Sequence, residues 1–230
     1  MQTVKQVGVV GLGAMGQGMA GSLRRAGFEV YVCDARPGVA QAFAADGGVA
    51  CATPAELAKS CQVLVSVVVN AAQTEEVLFG PQGAAASMAQ GSVFVMCSTV
   101  DPNWSVALEA RLEALGLQYV DAPISGGAAK AASGQMTMMT AGKPEAYALA
   151  EPFLNAMAAK VYKLGDSAGA GSKVKIINQL LAGVHIAAAA EAMALGLREG
   201  VDATALYEVI TNSAGNSRRK RRSQNCLRST

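Results

Sequence analysis

The sequence predicts an α/β protein, a doubly wound, mostly parallel sheet followed by an all-helical second domain that is incomplete. Three observations carry this prediction. Across the first two-thirds of the 230 residues, short β-branched runs alternate with Ala-rich or amphipathic helical stretches, the pattern of parallel strands covered by helices on both faces. A Gly11-x-Gly13-x-x-Gly16 turn stands between the first strand and the first helix. Near residue 166 the strand signals stop and only helical periodicity continues.

In order, Val7-Gly8-Val9-Val10 reads as a buried strand, followed by the Gly-rich turn and a helix to about Ala26. Phe28 to Asp34 reads as the second strand and Pro37 to Ala45 as a helix. Gln62 to Val69 carries valine at five of its eight positions and reads as a strand. Ser92 to Cys97 is a further strand ending at Ser98-Thr99, Pro102 to Leu115 a helix, and Leu117 to Val120 a strand. Met136 to Thr140 and Val161 to Leu164 are short strands around a helix from Pro144 to Ala158. Gly165 to Gly171 is a small-residue loop. Beyond it, Ile176, Leu180, Val184 and Ala187 or Ala188 recur at helical spacing within one long helix, about Ser172 to Gly200, and Asp202 is the N-cap of another. The domain boundary is therefore set between residues 165 and 166. No fixed-period repeat is present.

Composition narrows the function classes. Hydrophobic residues make up 51% of the chain and aromatics 5%, which favours close-packed helices and tight turns over an aromatic-rich sandwich. No uninterrupted apolar run reaches the ~18–20 residues of a membrane span. Met1 to Gln6 lacks the apolar core of a signal peptide, so a cytoplasmic protein without a membrane partner is expected. Cys33, Cys51, Cys61, Cys97 and Cys226 show no C-x-x-C spacing and read as reduced structural thiols. The one histidine, His185, has no companion ligands, so no metal is expected. The net charge of +2 hides an asymmetry: Arg218 to Thr230 holds six basic residues and no acidic one, which leaves thirteen basic against seventeen acidic residues, a net of −4, elsewhere. The body has no basic surface suited to nucleic acid. Residues 218–230 form a basic tail without periodicity. It can be read as a nucleic-acid or nuclear-localisation arm, as a disordered end, or as a segment foreign to the fold, for example translated out of frame. The abrupt break after Asn216 favours the last.

The Gly11-Leu12-Gly13-Ala14-Met15-Gly16 turn gains meaning from its setting, after a strand and at the start of a helix. Gly11 permits the tight turn, Gly13 leaves room for a pyrophosphate, and Gly16 lets helix and strand pack closely, while the helix N-terminus offers N–H groups to the phosphates. This is a Rossmann-type fingerprint, and residues 1–165 are read as a dinucleotide-binding domain. Asp34, eighteen residues after Gly16, ends the second strand. A carboxylate there accepts both adenosine ribose hydroxyls and repels a 2′-phosphate, which favours NAD, although Arg36 nearby could take that phosphate. Ligands in such sheets sit outside the carboxyl ends of the strands. Val68-Val69-Asn70 and Ser98-Thr99 therefore join the candidate site.

Two further segments carry chemistry. Ser125-Gly126-Gly127, in Asp121-Ala-Pro-Ile-Ser125-Gly-Gly, can turn a hydroxyl and several N–H groups toward an anion such as a substrate carboxylate. Lys175 lies early in the long helix, with Asn178 and Gln179 three and four residues on and on the same face. A lysine near a helix N-terminus and partly buried has a lowered pKa and suits proton acceptance. Lys173 is the competing candidate but points elsewhere on the helix.

The motifs Gly-Leu-Gly-Ala-Met-Gly, Cys97-Ser-Thr-Val100, Asp121-Ala-Pro-Ile-Ser-Gly-Gly and Gly-x-Gly-x-x-x-Lys175-x-x-Asn178-Gln179 occur in one order and spacing. Over residues 4 to 217 the chain resembles the β-hydroxyacid (3-hydroxyisobutyrate) dehydrogenases. Within that family, the segments around Val67–Thr74, Ser125–Ala132 and Lys175–Ala187 are most similar to the L-threonate branch. Asn178 stands where that branch is expected to carry histidine. The resemblance implies NAD as cofactor and a hydroxy acid as substrate, with L-threonate giving a 2-oxo acid and 3-hydroxyisobutyrate as the alternative. It implies that Ser125, Gly126 and Gly127 hold the substrate carboxylate, that Lys175 takes the hydroxyl proton, and that Asn178 and Gln179 position the hydroxyl or the lysine. Residues 166–217 would then begin a substrate and dimerisation domain. The family continues with more helices beyond the position of Asn216, where this sequence turns into the basic tail. The resemblance therefore implies a truncated chain whose oligomerisation and activity are open, an inactive dinucleotide-binding module being the second reading.

Overall fold

The structure, a computed structural model, describes residues 5–216; the expectations for the basic tail and for Cys226 lie outside them. The chain divides into two compact units, Met1–Ile176 and Ile177–Thr230.

In the first unit the elements run β1 (Gln6–Val10), α1 (Gly16–Arg25), β2 (Glu29–Cys33), α2 (Val39–Ala45), β3 (Val49–Ala50), α3 (Pro54–Ala58), β4 (Val63–Ser66) and α4 (Ala71–Phe79). They continue as β5 (Val93–Met96), α5 (Pro102–Ala114), β6 (Gln118–Asp121), β7 (Ile124–Ser125), α6 (Gly127–Ala132), β8 (Met136–Gly142), α7 (Pro144–Met157) and β9 (Ala158–Lys163). Among the described residues the sheet has nine strands in the order β3-β2-β1-β4-β5-β6-β8-β7, with β9 paired to β8. From β3 to β6 every pairing is parallel; β8 runs antiparallel to β6 and β7, and β9 runs parallel to β8. The 3-2-1-4-5-6 order is that of the Rossmann fold, with the chain reversing its direction of winding between β1 and β4. A ligand crevice therefore opens beyond the carboxyl ends of these two strands.

The core lies in two layers, one on each face of the sheet. Successive side chains of a strand point to opposite faces, and β5 divides accordingly: Val93 and Val95 join the layer containing Met19, Leu23 and Phe153, whereas Phe94 and Met96 join the layer containing Leu57, Leu108 and Leu112. Strands buried on both faces read as continuous apolar runs, which is why they were legible.

The valine-rich run corrects one expectation. β4 ends at Ser66, and Val67 to Val69 leave the ladder after the Val67 N–H donates to Val10 O at 2.8 Å. β-propensity continues past the point where the neighbouring strands end, because these valines serve the crevice instead of the sheet. The elements unassigned from sequence are β3, α3, α4, β7 and α6, all of ten residues or fewer.

The helix α8 (Ala170–Arg198) follows, and its residues from Ile177 onward belong to the second unit together with α9 (Ala203–Asn212). Asp202 caps α9, accepting the Ala205 N–H at 2.9 Å, as its position predicts. α8 corrects the expectation on membrane spans: it has 29 residues, and its most apolar 18-residue window reaches a mean hydropathy of 1.7 with at most two charged residues. Leucine, isoleucine, valine and alanine together supply this hydropathy, but His185 and Glu191 interrupt them, so no unbroken apolar run of that length is present. Within the second unit, Ile177, Leu180, Leu181, Val184 and Ile186 are all more than half exposed.

Candidate dinucleotide and proton-transfer site

The Gly-rich turn is built by close backbone approach. Gly11 has φ 93° and donates its N–H to Cys33 O at 2.9 Å. A Cβ on Gly16 would lie 1.8 Å from Gly11 O, so only glycine permits α1 to start where it does. A Cβ on Gly13 would meet no atom within 4 Å. The turn is thus packed tightly against the protein at Gly11 and Gly16 and open at Gly13, the arrangement a pyrophosphate needs. Among the described residues no side chain caps α1, whose N-cap position is Met15, so its N-terminus remains available to an anion. Leu12 and Ala14 border a neighbouring groove that also includes Arg36.

Asp34 follows directly on β2. Its Oδ2 accepts the Leu12 N–H at 2.7 Å, and its Oδ1 accepts the Arg36 N–H and Nε at 2.9 Å each. Arg36 Nη2 adds bonds of 3.1 Å to Asp34 Oδ2 and to Leu12 O. The Arg36 guanidinium, helped by the two backbone N–H groups, holds the Asp34 carboxyl below the usual carboxylate range against the opposing effect of burial. About four lone-pair sites are available to a carboxylate, and four donors fill them here. A ribose that binds Asp34 would therefore have to displace Arg36, whose side chain is 61% exposed.

A cavity of about 600 Å³ adjoins this corner, lined by Gly11, Gly13, Asp34 and Arg36 and, from the other strand end, by Val67, Val68 and Val69. The sequence reading missed its far wall, Ala52, Pro54, Gln73 and Gln82. One signal for that wall was present, the Thr53-x-x-Glu56 capping pattern. Thr53 Oγ1 accepts the Glu56 N–H at 3.0 Å and Glu56 Oε2 accepts the Ala52 N–H at 2.7 Å. The Asn70 side chain is engaged with its own helix, where Oδ1 caps α4 by accepting the Gln73 N–H at 2.9 Å. Ser98 and Thr99 separate as well. Ser98 is buried and donates to Val68 O at 2.7 Å, tying two strand ends together, whereas Thr99 is exposed.

Ser125 ends β7, and Gly126 and Gly127 turn the chain into α6 with φ 149° and 78°. α6 packs on α1, because Gly18 brings the two helices so close that a Cβ there would lie 2.6 Å from Ala132 N. Ser22 Oγ of α1 also donates to Ala131 O at 3.0 Å. The helices that follow the two glycine turns are thereby packed side by side.

Lys175 is 7% exposed, and its Nζ donates to Ile124 O at 2.8 Å. Ile124 immediately precedes Ser125, so a buried amine is fixed next to the Ser125-Gly126-Gly127 turn. Burial lowers the Lys175 pKa, since the charged form loses hydration. Lys173 is exposed. Asn178 and Gln179 belong to the second unit and are exposed on α8, as is His185. Cys33, Cys51, Cys61 and Cys97 are buried free thiols, and burial pushes Cys61 and Cys97 up to about 12, which makes them poor nucleophiles. Among the described residues no cluster suited to a metal ion occurs.

A Rossmann sheet, a glycine turn open at Gly13 and a carboxylate ending β2 define a nicotinamide-dinucleotide-binding protein. Comparison with known proteins agrees. Residues 6–165 match the NAD binding domain of 6-phosphogluconate dehydrogenase, and residues 169–228 match the NAD-binding domain of NADP-dependent 3-hydroxyisobutyrate dehydrogenase. An L-threonate dehydrogenase of Cupriavidus necator is 65% identical over 213 residues, covering 93% of this chain and 72% of that protein. The L-threonate dehydrogenase of Haemophilus influenzae is 45% identical over 212 residues, covering 92% and 70%. A crystal structure of 3-hydroxyisobutyrate dehydrogenase from Salmonella typhimurium superposes with a TM-score of 0.88 at 48% identity, covering 93% of this chain and 74% of that one. The chain belongs to the 3-hydroxyisobutyrate dehydrogenase family and is an NAD-dependent hydroxyacid dehydrogenase.

Proposed function

We propose that the chain oxidises L-threonate to a 2-oxo acid, with Lys175 as the general base, in the cytoplasm. The observation that carries the chemistry is the 2.8 Å bond from Lys175 Nζ to Ile124 O, one residue before the Ser125-Gly126-Gly127 turn. The substrate name is supported by the L-threonate dehydrogenases among its relatives, at 65% and 45% identity.

Gly13 and the N-terminus of α1 would hold the pyrophosphate, and Asp34 would hold the adenosine ribose in place of Arg36. Val68 and Val69, which line the cavity, would contact the dinucleotide, and Thr99 would meet the nicotinamide ribose or the substrate. Asn70 contributes by fixing the chain direction after Val69. The bound nicotinamide supplies the hydride acceptor. Ser125 Oγ and the N–H groups of Gly126 and Gly127 bind the substrate carboxylate. Lys175 in its neutral form accepts the hydroxyl proton as the carbon–hydrogen bond breaks, while the carbonyl of Ile124 holds one amine hydrogen and so directs the nitrogen lone pair. For Asn178 and Gln179, which belong to the second unit, the family resemblance alone supports a role in positioning the hydroxyl or the lysine.

The test is NADH formation by the full chain with L-threonate and with 3-hydroxyisobutyrate. A kcat/KM for L-threonate at least about tenfold higher is expected, the scale on which a pocket discriminates related substrates. A preference for 3-hydroxyisobutyrate would overturn the substrate assignment. NAD binding without turnover of either acid would overturn the catalytic one.

A further inference from the structure

The first turn of α8 is attached at two points to one short stretch that leaves β6. Lys175 Nζ is held by Ile124 O, and three residues earlier on the helix Ser172 is held by Asp121. Asp121 is fully buried. Its Oδ2 accepts the N–H groups of Gly169 and Ser172 at 2.9 Å each, and its Oδ1 accepts Ser172 Oγ at 2.7 Å. The first N–H groups of a helix have no acceptor within it; for α8 the acceptor is a side chain forty-eight residues away in sequence from Gly169. Glu109 of α5 adds to this by accepting the Ala168 N–H on both carboxylate oxygens at 3.1 Å. The helix fits only because residue 171 is glycine, as a Cβ there would lie 2.4 Å from Met139 O and 3.2 Å from Asp121 Oδ2.

Residues 172 and 175 share one helix face, so whatever fixes Ser172 fixes the direction in which Lys175 leaves the helix. We propose that Asp121 is a positioning residue of the reaction: by capping α8 it sets the place of the Lys175 amine relative to the Ser125-Gly126-Gly127 turn. The proposal rests on the reading of Lys175 as the base. Asp121 is itself excluded from contact with substrate, being buried with both oxygens engaged. It acts through the helix. Lys175 and the anion turn then move together, because Asp121 and Ile124 belong to the same four-residue segment.

The experiment compares Asp121→Ala and Asp121→Asn in the full chain. Asparagine keeps an oxygen for the two N–H groups and can donate to Ser172 Oγ, so it restores the anchor without the charge. Two readouts are used. The first is the rate of Lys175 acylation by an amine-reactive reagent, measured by mass spectrometry against exposed Lys173 as an internal standard. In Asp121→Ala the Lys175 to Lys173 ratio should rise about tenfold or more, and in Asp121→Asn it should stay within about threefold of the parent. The second is kcat together with NAD affinity. Asp121→Ala should lower kcat by about 10–10²-fold, the cost of a misplaced group, with the NAD Kd within about threefold, and Asp121→Asn should recover most of it. If Asp121→Ala does not fold, Ser172→Ala removes one anchor bond and should raise the Lys175 ratio a few-fold, about 2–5. Unchanged Lys175 labelling in folded Asp121→Ala or in Ser172→Ala would overturn the proposal, as would an Asp121→Asn variant as impaired as Asp121→Ala. Lys175→Met is assayed alongside. Turnover retained in that variant would refute Lys175 as the base, a result the labelling ratio does not depend on.

Discussion

At the scale of single residues, Asp34 and Arg36 are the residues we propose to set which dinucleotide is preferred. The carboxylate is saturated by Leu12 N–H and Arg36, and the guanidinium is the exposed partner. A ribose with both hydroxyls free competes with Arg36 for Asp34, whereas a 2′-phosphate meets the carboxylate as a like charge and could draw only on Arg36. NAD is therefore expected to bind more tightly than NADP. Arg36→Ala should leave the NAD Kd within about threefold or improve it and should weaken NADP further, whereas Asp34→Ala should weaken NAD and narrow the gap. Paired titrations of both variants with both dinucleotides check this, and equal affinities in the parent would refute it. In the free protein Arg36 holds Asp34 below the ordinary carboxylate value of about 3.9, so the dinucleotide meets an ionised carboxylate across about pH 5 to 8 and the preference should hold there.

At the scale of elements, the glycine turns fix where helices begin. Gly16 is the strictest case, with Gly11 O only 1.8 Å from the position a Cβ would take. Gly16→Ala should displace α1 and cost several kcal/mol, on the order of the 1–3 or more seen for overpacking, with loss of NAD binding; a thermal melt and an NAD titration on one sample check it, and a parent-like melt would contradict it. The long elements were legible in the sequence because their signals are strong. β1, β2, β4 and β5 are apolar on both faces, and α8 shows helical spacing at Ile176, Leu180, Val184 and Ala187 or Ala188 with no strand signal around it. The short ones were not. β3 has two residues and β7 two, too few to show a period, and α3 was marked only by its Thr53-x-x-Glu56 cap. In the site, the glycine turn, Asp34 and Lys175 were readable because each needs a residue type at a defined offset from an element. The cavity wall formed by Ala52, Pro54, Gln73 and Gln82 was not, because generic residues reach it through tertiary packing alone. Asn70 and Ser98 show the opposite effect. Both stand at strand ends where ligands gather, yet their side chains are engaged in capping α4 and in joining two strand ends.

At the scale of the whole molecule, the proposed dinucleotide site and the proposed base occupy separate places. The candidate dinucleotide corner, the Ser125-Gly126-Gly127 turn and Lys175 all belong to the first unit, and Lys175 is not among the residues that line the cavity at that corner. The lysine can be changed without touching the glycine turn, Asp34 or the cavity. Burial holds its pKa below the ordinary value of about 10.4, so the neutral, proton-accepting fraction grows as pH rises through that lowered pKa, and oxidation should accelerate over the same interval. The most direct measurement is therefore kcat/KM against pH and NAD affinity, taken together on the parent and on Lys175→Met. The expected result is a loss of about 10²–10⁴-fold in turnover, disappearance of the rising alkaline limb and an NAD Kd within about threefold of the parent. Near-parental turnover with the limb intact would contradict Lys175 as the base.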